Sequence, residues 1–405
     1  MSFLANFSAK LKERAEAIYG HLPISPFAYP LSDLNYGDIG SDYAYKLAQY
    51  LHIPPETIAE KLLDGLKSHC GNFLQHKGYI NFKHSPSDGG LYICEDPPPI
   101  SKTIVICLNL DSALTRLQRM RIASLFSLHL FLANSFADNV SAYCGKMPIA
   151  PLPKGHFFDP NIYYEIISTS DNRQSTIDKE LIESLAKSCK ADIIFIWSSK
   201  AIWDSSKYKS IASSTPILVR FPKEEWIKSA SPVCYLPDLA SLNPTQLLHM
   251  MYYLSTPINL VDLDLGMAYA GSRDNLPWYL AVTLERVKSF QCKLASVYTD
   301  KLEPDEDLRD LLVRLKYIKA QMSLAIDRGH IIQFLSRIRE SLDAFNSFFN
   351  TPDLRARLAN KAADGKELRA IKTAIDSFSI LKPLFALDDR ELREHNINRL
   401  NYRST

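Results

Sequence analysis

Hydrophobic residues change their spacing along this chain, and that change of rhythm limits the folds open to it. From Thr103 to Phe221 short apolar runs alternate with helical stretches. Thr103–Leu108 reads as a strand, followed by a helix from about Ala113 to Ala137. A strand at Ile162–Ser168 and a helix from Ile177 to Lys187 come next, then strands at Ile193–Trp197 and Ile217–Phe221. A β-branched run such as Thr103–Leu108 fits a strand buried on both faces, and strands separated by helices predict a doubly wound parallel sheet. Beyond about Asn243 the period turns helical almost throughout. Leu308, Leu311, Leu312, Leu315 and Ile318 form one stripe, and Ile331, Leu335, Ile338, Leu342 and Phe345 a second. Leu368, Ile371, Ile375, Phe378 and Leu381 form a third. Three such helices bury their apolar faces against one another as a bundle.

Ahead of the alternating region the signals are mixed. Leu4, Phe7, Leu11 and Ala15 recur at helical spacing, a second helix spans Asp42–Leu51, and a third runs from Pro55 to Leu66 behind Pro54. Tyr79–Phe82 reads as a strand. Ser85–Gly90 breaks the chain, and Asp96-Pro97-Pro98-Pro99 forms a stiff linker. The expected organisation is α/β plus all-α: a small α+β module over 1–95, a reduced parallel-sheet domain over 100–242, and a helical bundle over 243–405.

Composition excludes several classes. With 46% apolar and 23% charged residues in 405, the chain has ample material for two or three cores. A formal net charge of +2 neither demands nor forbids nucleic acid, so any basic surface is local. The seven cysteines are scattered, odd in number and without a C-x-x-C pair, which fits reduced thiols in a cytoplasmic protein. The first twenty residues interleave Lys10, Lys12, Glu13, Arg14 and Glu16 with apolar positions, unlike a signal peptide. Leu125–Ala133 is too short to span a bilayer and carries His129, so no membrane association is expected. His69, Cys70, His76 and His84 match no zinc spacing, and no phosphate-cradling glycine loop or catalytic triad is present.

Three separated stretches, in order, resemble arginyl-tRNA synthetase. The first begins with the acidic-apolar alternation Asp262-Leu263-Asp264-Leu265. It continues through Ser272-Arg273-Asp274-Asn275-Leu276-Pro277-Trp278-Tyr279 to Arg286, eleven residues after Asn275. This is similar to the start of the family's anticodon-binding domain, with the proline one place later. The second, Phe334-Leu335 to Phe345-Asn346-Ser347-Phe348-Phe349, resembles the aromatic-Asn-x-aromatic helix of the family's DALR anticodon-binding domain. The third comprises Gly37-Asp38, Ala44, Leu47-Ala48, Ile58-Ala59 and Gly78-Tyr79-Ile80-Asn81-Phe82. It is similar to the family's N-terminal additional domain, which touches the tRNA elbow. The resemblance implies a Rossmann-like sheet between these two RNA-facing modules.

The sheet region departs from that family. Class I synthetases carry an H-I-G-H-type signature after the first strand, whose histidines bond the ATP phosphates. Taking Arg121 as the arginine that follows it, the signature falls on Arg116-Leu117-Gln118-Arg119, with both histidines replaced by arginine and the glycine by Gln118. The lysine loop that stabilises the adenylation transition state belongs before Leu242-Asn243-Pro244. The interval Arg220–Pro237 holds no Met-Ser/Thr-Lys/Arg run. The resemblance therefore implies a pseudoenzyme without cofactor, which binds tRNA, one of the arginine family, as an adaptor, chaperone or regulator beside a protein acting on tRNA. A residual arginine–tRNA ligase and a scaffold that no longer binds RNA are the competing readings.

Asn275, Tyr279, Arg286, Arg337 and Arg339 are the candidate RNA contacts, and Arg116, Gln118 and Arg119 mark the lost ATP signature. Each also has a plainer role. Asp274 can cap a helix whose aromatics lie in a core, and Arg314, Lys316, Lys319, Arg337, Arg339, Arg355, Arg357, Lys361, Arg369 and Lys372 can form solvated helix faces. Ala281, Val282 and Leu284 stand where the family has Gln, Tyr and His, so arginine-specific reading of an anticodon stays open. Arg116, Arg119 and Arg121 are either surface charges or a clamp for a phosphate or a tRNA end.

Overall fold

The computed structural model describes residues 3–66, 71–84, 100–110, 116–149, 177, 179–198, 217–220, 244–255, 271–294, 306–360 and 362–385. The expected turn at 85–90, the linker at 96–99, the strand at 162–168, most of the interval 220–237 and the alternation at 262–265 lie outside these residues. The chain forms two compact units, neither a single run of sequence. One comprises Met1–Pro97, Val287–Leu324 and Glu340–Phe378, and the other Pro98–Arg286, Ala325–Arg339 and Ser379–Thr405.

In the first unit, helix α1 (Phe3–Tyr19) precedes strands β1 (Ala28–Pro30) and β2 (Ile39–Ser41). Helices α2 (Tyr43–Leu51) and α3 (Pro55–Leu63) follow, then the hairpin β3 (Gly71–His76) and β4 (Tyr79–His84). The strands make an antiparallel sheet in the order β1-β2-β4-β3. Phe7, Leu11 and Ala15 of the predicted α1 stripe enter a core with Tyr43, Ala44 and Leu47 of α2, Ile58, Ala59 and Leu62 of α3, and Ile80 and Phe82 of β4. Strand β3 escapes prediction because Gly71 and the polar Asn72, Gln75 and His76 give no alternation. It forms by pairing with β4 in full register from Gly71↔His84 to His76↔Tyr79. The turn between them puts Lys77 at φ 47° and Gly78 at φ 83°, the positive dihedrals a two-residue hairpin turn requires.

Helix α8 (Glu306–Arg328) joins this core from a distance in sequence. Val313 and Tyr317 are buried among the residues just named, and Ala320 packs against them. Beside them lies a buried ionic cluster. The carboxylate of Asp38 is fully enclosed and accepts the backbone N–H of His84 at 2.7 Å and a bond from His84 Nδ1 at 2.9 Å. It also receives the guanidinium of Arg309, itself largely buried in the first turn of α8. Burial pushes the Asp38 carboxyl up, but the bonds from His84 and Arg309 outweigh it and hold it below the usual carboxylate value.

The second unit is built on a five-stranded sheet. Its strands are β5 (Ile100–Leu108), β6 (Ala137–Cys144), β7 (Met147–Ile149), β8 (Ile193–Trp197) and β9 (Ile217–Arg220), in the order β7-β6-β5-β8-β9. All neighbours are parallel except β7, which turns back antiparallel along the edge. Neither β6 nor β7 shows in the sequence, because Asp138, Asn139 and Ser141 dilute the apolar pattern. Helix α4 (Arg116–Phe136) connects β5 to β6, and helix α5 (Lys179–Ser188) precedes β8. Val105, Cys107, Ile194 and Ile196 pack with Ile182 and Leu185 of α5.

Helix α4 is buried nearly all round, from Met120 to Ala133, as expected of an apolar helix inside a domain. His129 sits in this apolar setting, its ring edge-on to Phe195 at 4.5 Å. Its Nδ1 accepts the Trp197 indole N–H at 3.1 Å, and its Nε2–H donates to the Ile326 carbonyl at 3.0 Å. Those two partners fix one neutral tautomer. Helix α6 (Pro244–Ser255) packs on α4, and Tyr252 donates to the Leu384 carbonyl at 2.7 Å while stacking on Phe385 in the short turn Pro383–Phe385. The remaining helices are α7 (Leu276–Leu294), α9 (Ile331–Phe349), α10 (Pro352–Ala359) and α11 (Gly365–Ser379). Among the described residues no helix is long and apolar enough to cross a membrane.

The lowered carboxyl of Asp38 sets the sign of an acid effect. Its contribution to stability is complete above the unfolded carboxylate value near ~3.9 and is lost as pH falls through the lower folded value. Urea midpoints measured from pH 7 downward should fall more steeply below about pH 4 in the native chain than in Asp38→Asn. The variant should start from a lower midpoint at pH 7.

Candidate nucleic-acid interface

The segment leading into α7 is a tight turn in which each polar side chain has a distinct task. Asn275 N–H bonds the Ser272 carbonyl at 3.2 Å, and the Ser272 hydroxyl accepts from the Asp274 N–H at 3.3 Å. The helix is capped by Asn275, whose Oδ1 accepts the Trp278 N–H at 3.2 Å. Asp274, the cap in the plainer of the two readings, stands outside and binds Arg339 instead. The guanidinium reaches the Asp274 carboxylate at 3.1 Å and its backbone carbonyl at 2.9 Å. The physical reason is that Asn275 needs an amide: its Nδ2 also donates to Nδ1 of the buried His249 of α6, at 3.1 Å. A carboxylate has no donor for that bond.

The candidate contacts therefore separate. Asn275 is 2% exposed and has its amide engaged inside the fold, so it shapes the turn rather than facing solvent. Arg339 is brought to the start of α7, where it ties α9 to Asp274. Tyr279 and Arg286 are half-buried on α7, seven residues and about 10 Å apart along one face. Leu280, Ala281 and Leu284 between them are buried. Arg337 is half-buried on α9, but two residues from Arg339 means about 200° around the helix, so the two arginines point to different sides.

Other basic and aromatic residues are used internally. Arg314 pairs with Glu340 at 3.3 Å, and Arg355 donates to Asn350 at 2.8 Å. Arg357 grips Glu367, which lifts the guanidinium's pKa. Glu367 also closes a capping box, accepting the Asp364 N–H at 3.1 Å while Asp364 accepts its own at 2.8 Å. Phe345 stacks on Phe349 and meets Phe378 edge-on, so the run Phe345–Phe349 contributes to a core. Lys361 lies outside the described residues.

The second candidate position lies at the C-terminal ends of the parallel strands. Connections leave β5 to one side through α4 and return on the other at β8, so the crevice above β5 is where doubly wound folds take a nucleotide. Here Asn109 follows β5 directly and bonds to two neighbouring segments at that end of the sheet. Its N–H bonds the Trp197 carbonyl at 2.9 Å, its Nδ2 donates to Ser198 Oγ at 3.1 Å, and its Oδ1 accepts the Ile177 N–H at 3.1 Å. Asn109, Ser198 and Ile177 are all buried. Arg116 is the first residue of α4, and Gln118 and Arg119 are half-buried in its opening turns. Arg121 is enclosed, and burial lowers its guanidinium pKa to about 10. Sequence reasoning placed Arg121 with surface charges or a phosphate clamp and did not anticipate its burial, nor the Asn109 bridge. The one signal for the bridge was a polar Asn directly after an apolar strand.

Among the described residues no cluster of three His, Cys, Asp or Glu side chains could hold a metal ion. His76 lies tilted against Tyr36 and His84 serves Asp38; His69 and Cys70 lie outside the described residues.

Removing the amide at 275 tests its structural assignment. Asn275→Ala deletes a cap and leaves His249 without this partner, so a loss of about 1–3 kcal/mol is expected. Asn275→Asp keeps the cap acceptor and should lose part of that amount. Thermal and urea unfolding of both variants measure it, and equal losses would assign the effect to the His249 bond alone.

No protein-family model and no curated protein sequence matches the chain. Solved structures do. Arginyl-tRNA synthetase from Plasmodium falciparum superposes with a TM-score of 0.55 at 8% identity, over 95% of this chain and 97% of that one. The Thermus thermophilus arginyl-tRNA synthetase gives 0.48 at 9% identity, over 95% and 99%. The chain thus has an arginyl-tRNA synthetase-like fold, α/β with helical regions, at a sequence distance where fold alone is shared.

Proposed function

We propose that this protein binds tRNA without charging it: a cytoplasmic, non-catalytic relative of arginyl-tRNA synthetase acting as adaptor, chaperone or regulator. The observation that carries this reading is the Asn109 bridge across the switch point of an arginyl-tRNA synthetase-like fold. A crevice strapped by buried hydrogen bonds does not receive a nucleotide without breaking them, and each buried group left unpaired costs about 1–3 kcal/mol. The sequence agrees, since Arg116, Gln118 and Arg119 replace the phosphate-binding signature and no lysine loop follows.

In this reading residues 1–95 form the elbow module, 100–242 the degenerate synthetase-like domain, and 243–405 the anticodon-binding bundle. A tRNA of the arginine family is the preferred ligand, with a protein that acts on tRNA as partner. Tyr279, Arg286 and Arg337 contact the RNA. Tyr279 stacks on a splayed base while the guanidiniums meet phosphates. Asn275 and Arg339 hold the α7 start in place beneath them.

Two measurements test the reading. Arginine and ATP, with or without tRNA, should give no pyrophosphate exchange above background, and robust exchange would restore the ligase. Bulk tRNA should bind with an affinity that falls steeply with salt, because phosphate contacts release counterions. Arg337→Ala should shallow the log–log slope by about one. Tyr279→Ala should weaken binding on the order of tenfold or more at an unchanged thermal midpoint, since stacking is worth ~1–3 kcal/mol per base. Absence of any tRNA binding would favour the scaffold instead.

A further inference from the structure

We propose that the N-terminal module is a receptor for one face of an arginine-led amphipathic helix, and that α8 occupies this receptor within the same chain as a buried latch. The proposal is independent of the tRNA reading. Four residues of α8 make the contact: Arg309, Val313, Tyr317 and Ala320. Their spacing of four, four and three residues confines them to a stripe about 80° wide. Val313 and Tyr317 are buried against α1, α2, α3 and β4, and Ala320 lies at the margin of the same core. The buried Leu311, Leu312, Leu315 and Ile318 occupy the opposite side. Helix α8 therefore serves two partners, and only one of its faces reads as a bundle stripe.

The module supplies a receptor with a chemical requirement. Asp38 is fixed by its backbone, donating to the Phe82 carbonyl at 2.8 Å and accepting from the Leu31 N–H at 2.9 Å. Its carboxylate cannot swing to solvent, and two bonds from His84 leave it charged in a buried setting. A buried charge of that kind requires a cation beside it. Arg309 directs Nη2 at both oxygens of the Asp38 carboxylate, while Nη1, the other prong of its planar fork, donates to the exposed Asp310. Arginine suits the task better than lysine, because its donors are pre-arranged and it is less strongly hydrated. When α8 lifts away, the module loses part of its apolar core and the counter-charge of Asp38 in one event, so the two elements should open together.

Hydrogen exchange on the full chain, read by mass spectrometry, tests this. Asp38→Asn should speed exchange at least about tenfold in α8 residues 309–320 and, by a matching factor, in α2, α3 and β4. Arg309→Lys keeps the charge but not the fork and should give a smaller, still matched, increase. Arg314→Gln removes the neighbouring pair with Glu340 and should change neither region. Faster exchange in α8 with α2, α3 and β4 unchanged would overturn the proposal. So would equal rates in all variants, or an equal rise in α5 and β8 that makes the effect global. If Asp38→Asn does not fold, the Arg309→Lys comparison alone decides between matched and unmatched exchange.

Discussion

The carboxylate of Asp38 is the constraint on which the first unit depends. It is fully buried, its main chain is bonded on both sides, and its charge is held by His84 and by Arg309 from 271 residues away. Buried ion pairs add little stability relative to well-packed apolar groups of similar volume, yet breaking one by removing a partner is costly. Their effect is to select a single arrangement. In this protein the pair selects which face of α8 meets the N-terminal module, a choice that Val313 and Tyr317 alone would leave to shape.

Elements were legible in the sequence wherever an apolar pattern of helical or strand period runs through them. The stripe Phe7, Leu11 and Ala15, the strand at Ile193–Trp197 and the helix beginning at Pro55 all stand where periodicity put them. Periodicity failed where pairing, not patterning, makes the element. Strands β3 and β6 carry Asn, Asp, Gln and Ser because hydrogen bonding to an apolar neighbour suffices to hold them. It failed again on α8, where two opposed apolar faces serve different neighbours and the Leu-rich one masks the other. The cap of α7 was not legible for a third reason. Asp274 and Asn275 are equivalent as acceptors, and only the amide donor to His249, distant in sequence, separates them.

Polar side chains inside the second unit tie its segments together by buried hydrogen bonds. Nucleotide-binding members of the doubly wound class keep the crevice above the switch point free. Asn109 makes three hydrogen bonds there, two to the end of β8 at Trp197 and Ser198 and one to Ile177, and His129 bonds both Trp197 and Ile326 across the α4 side of the sheet. Each bridge satisfies buried groups that a ligand or water would otherwise have to meet. Candidate RNA contacts behave in the same divided way: some of the residues that resemble a binding surface stabilise the surface, while Tyr279, Arg286 and Arg337 remain half-exposed on it.

The distance in sequence between Asp38 and Arg309 also sets a clock during synthesis. Translation at about 5–20 residues per second separates the appearance of the two residues by roughly 15–55 s. Throughout that interval the emerging module has its sheet and three helices but neither the cation for its carboxylate nor the side chains that finish its core. Closing contacts this remote is slow in any chain, and surfaces left open meanwhile invite association with other nascent proteins. The face that the module turns toward α8 is therefore the last part of the first core to be covered as the chain is made.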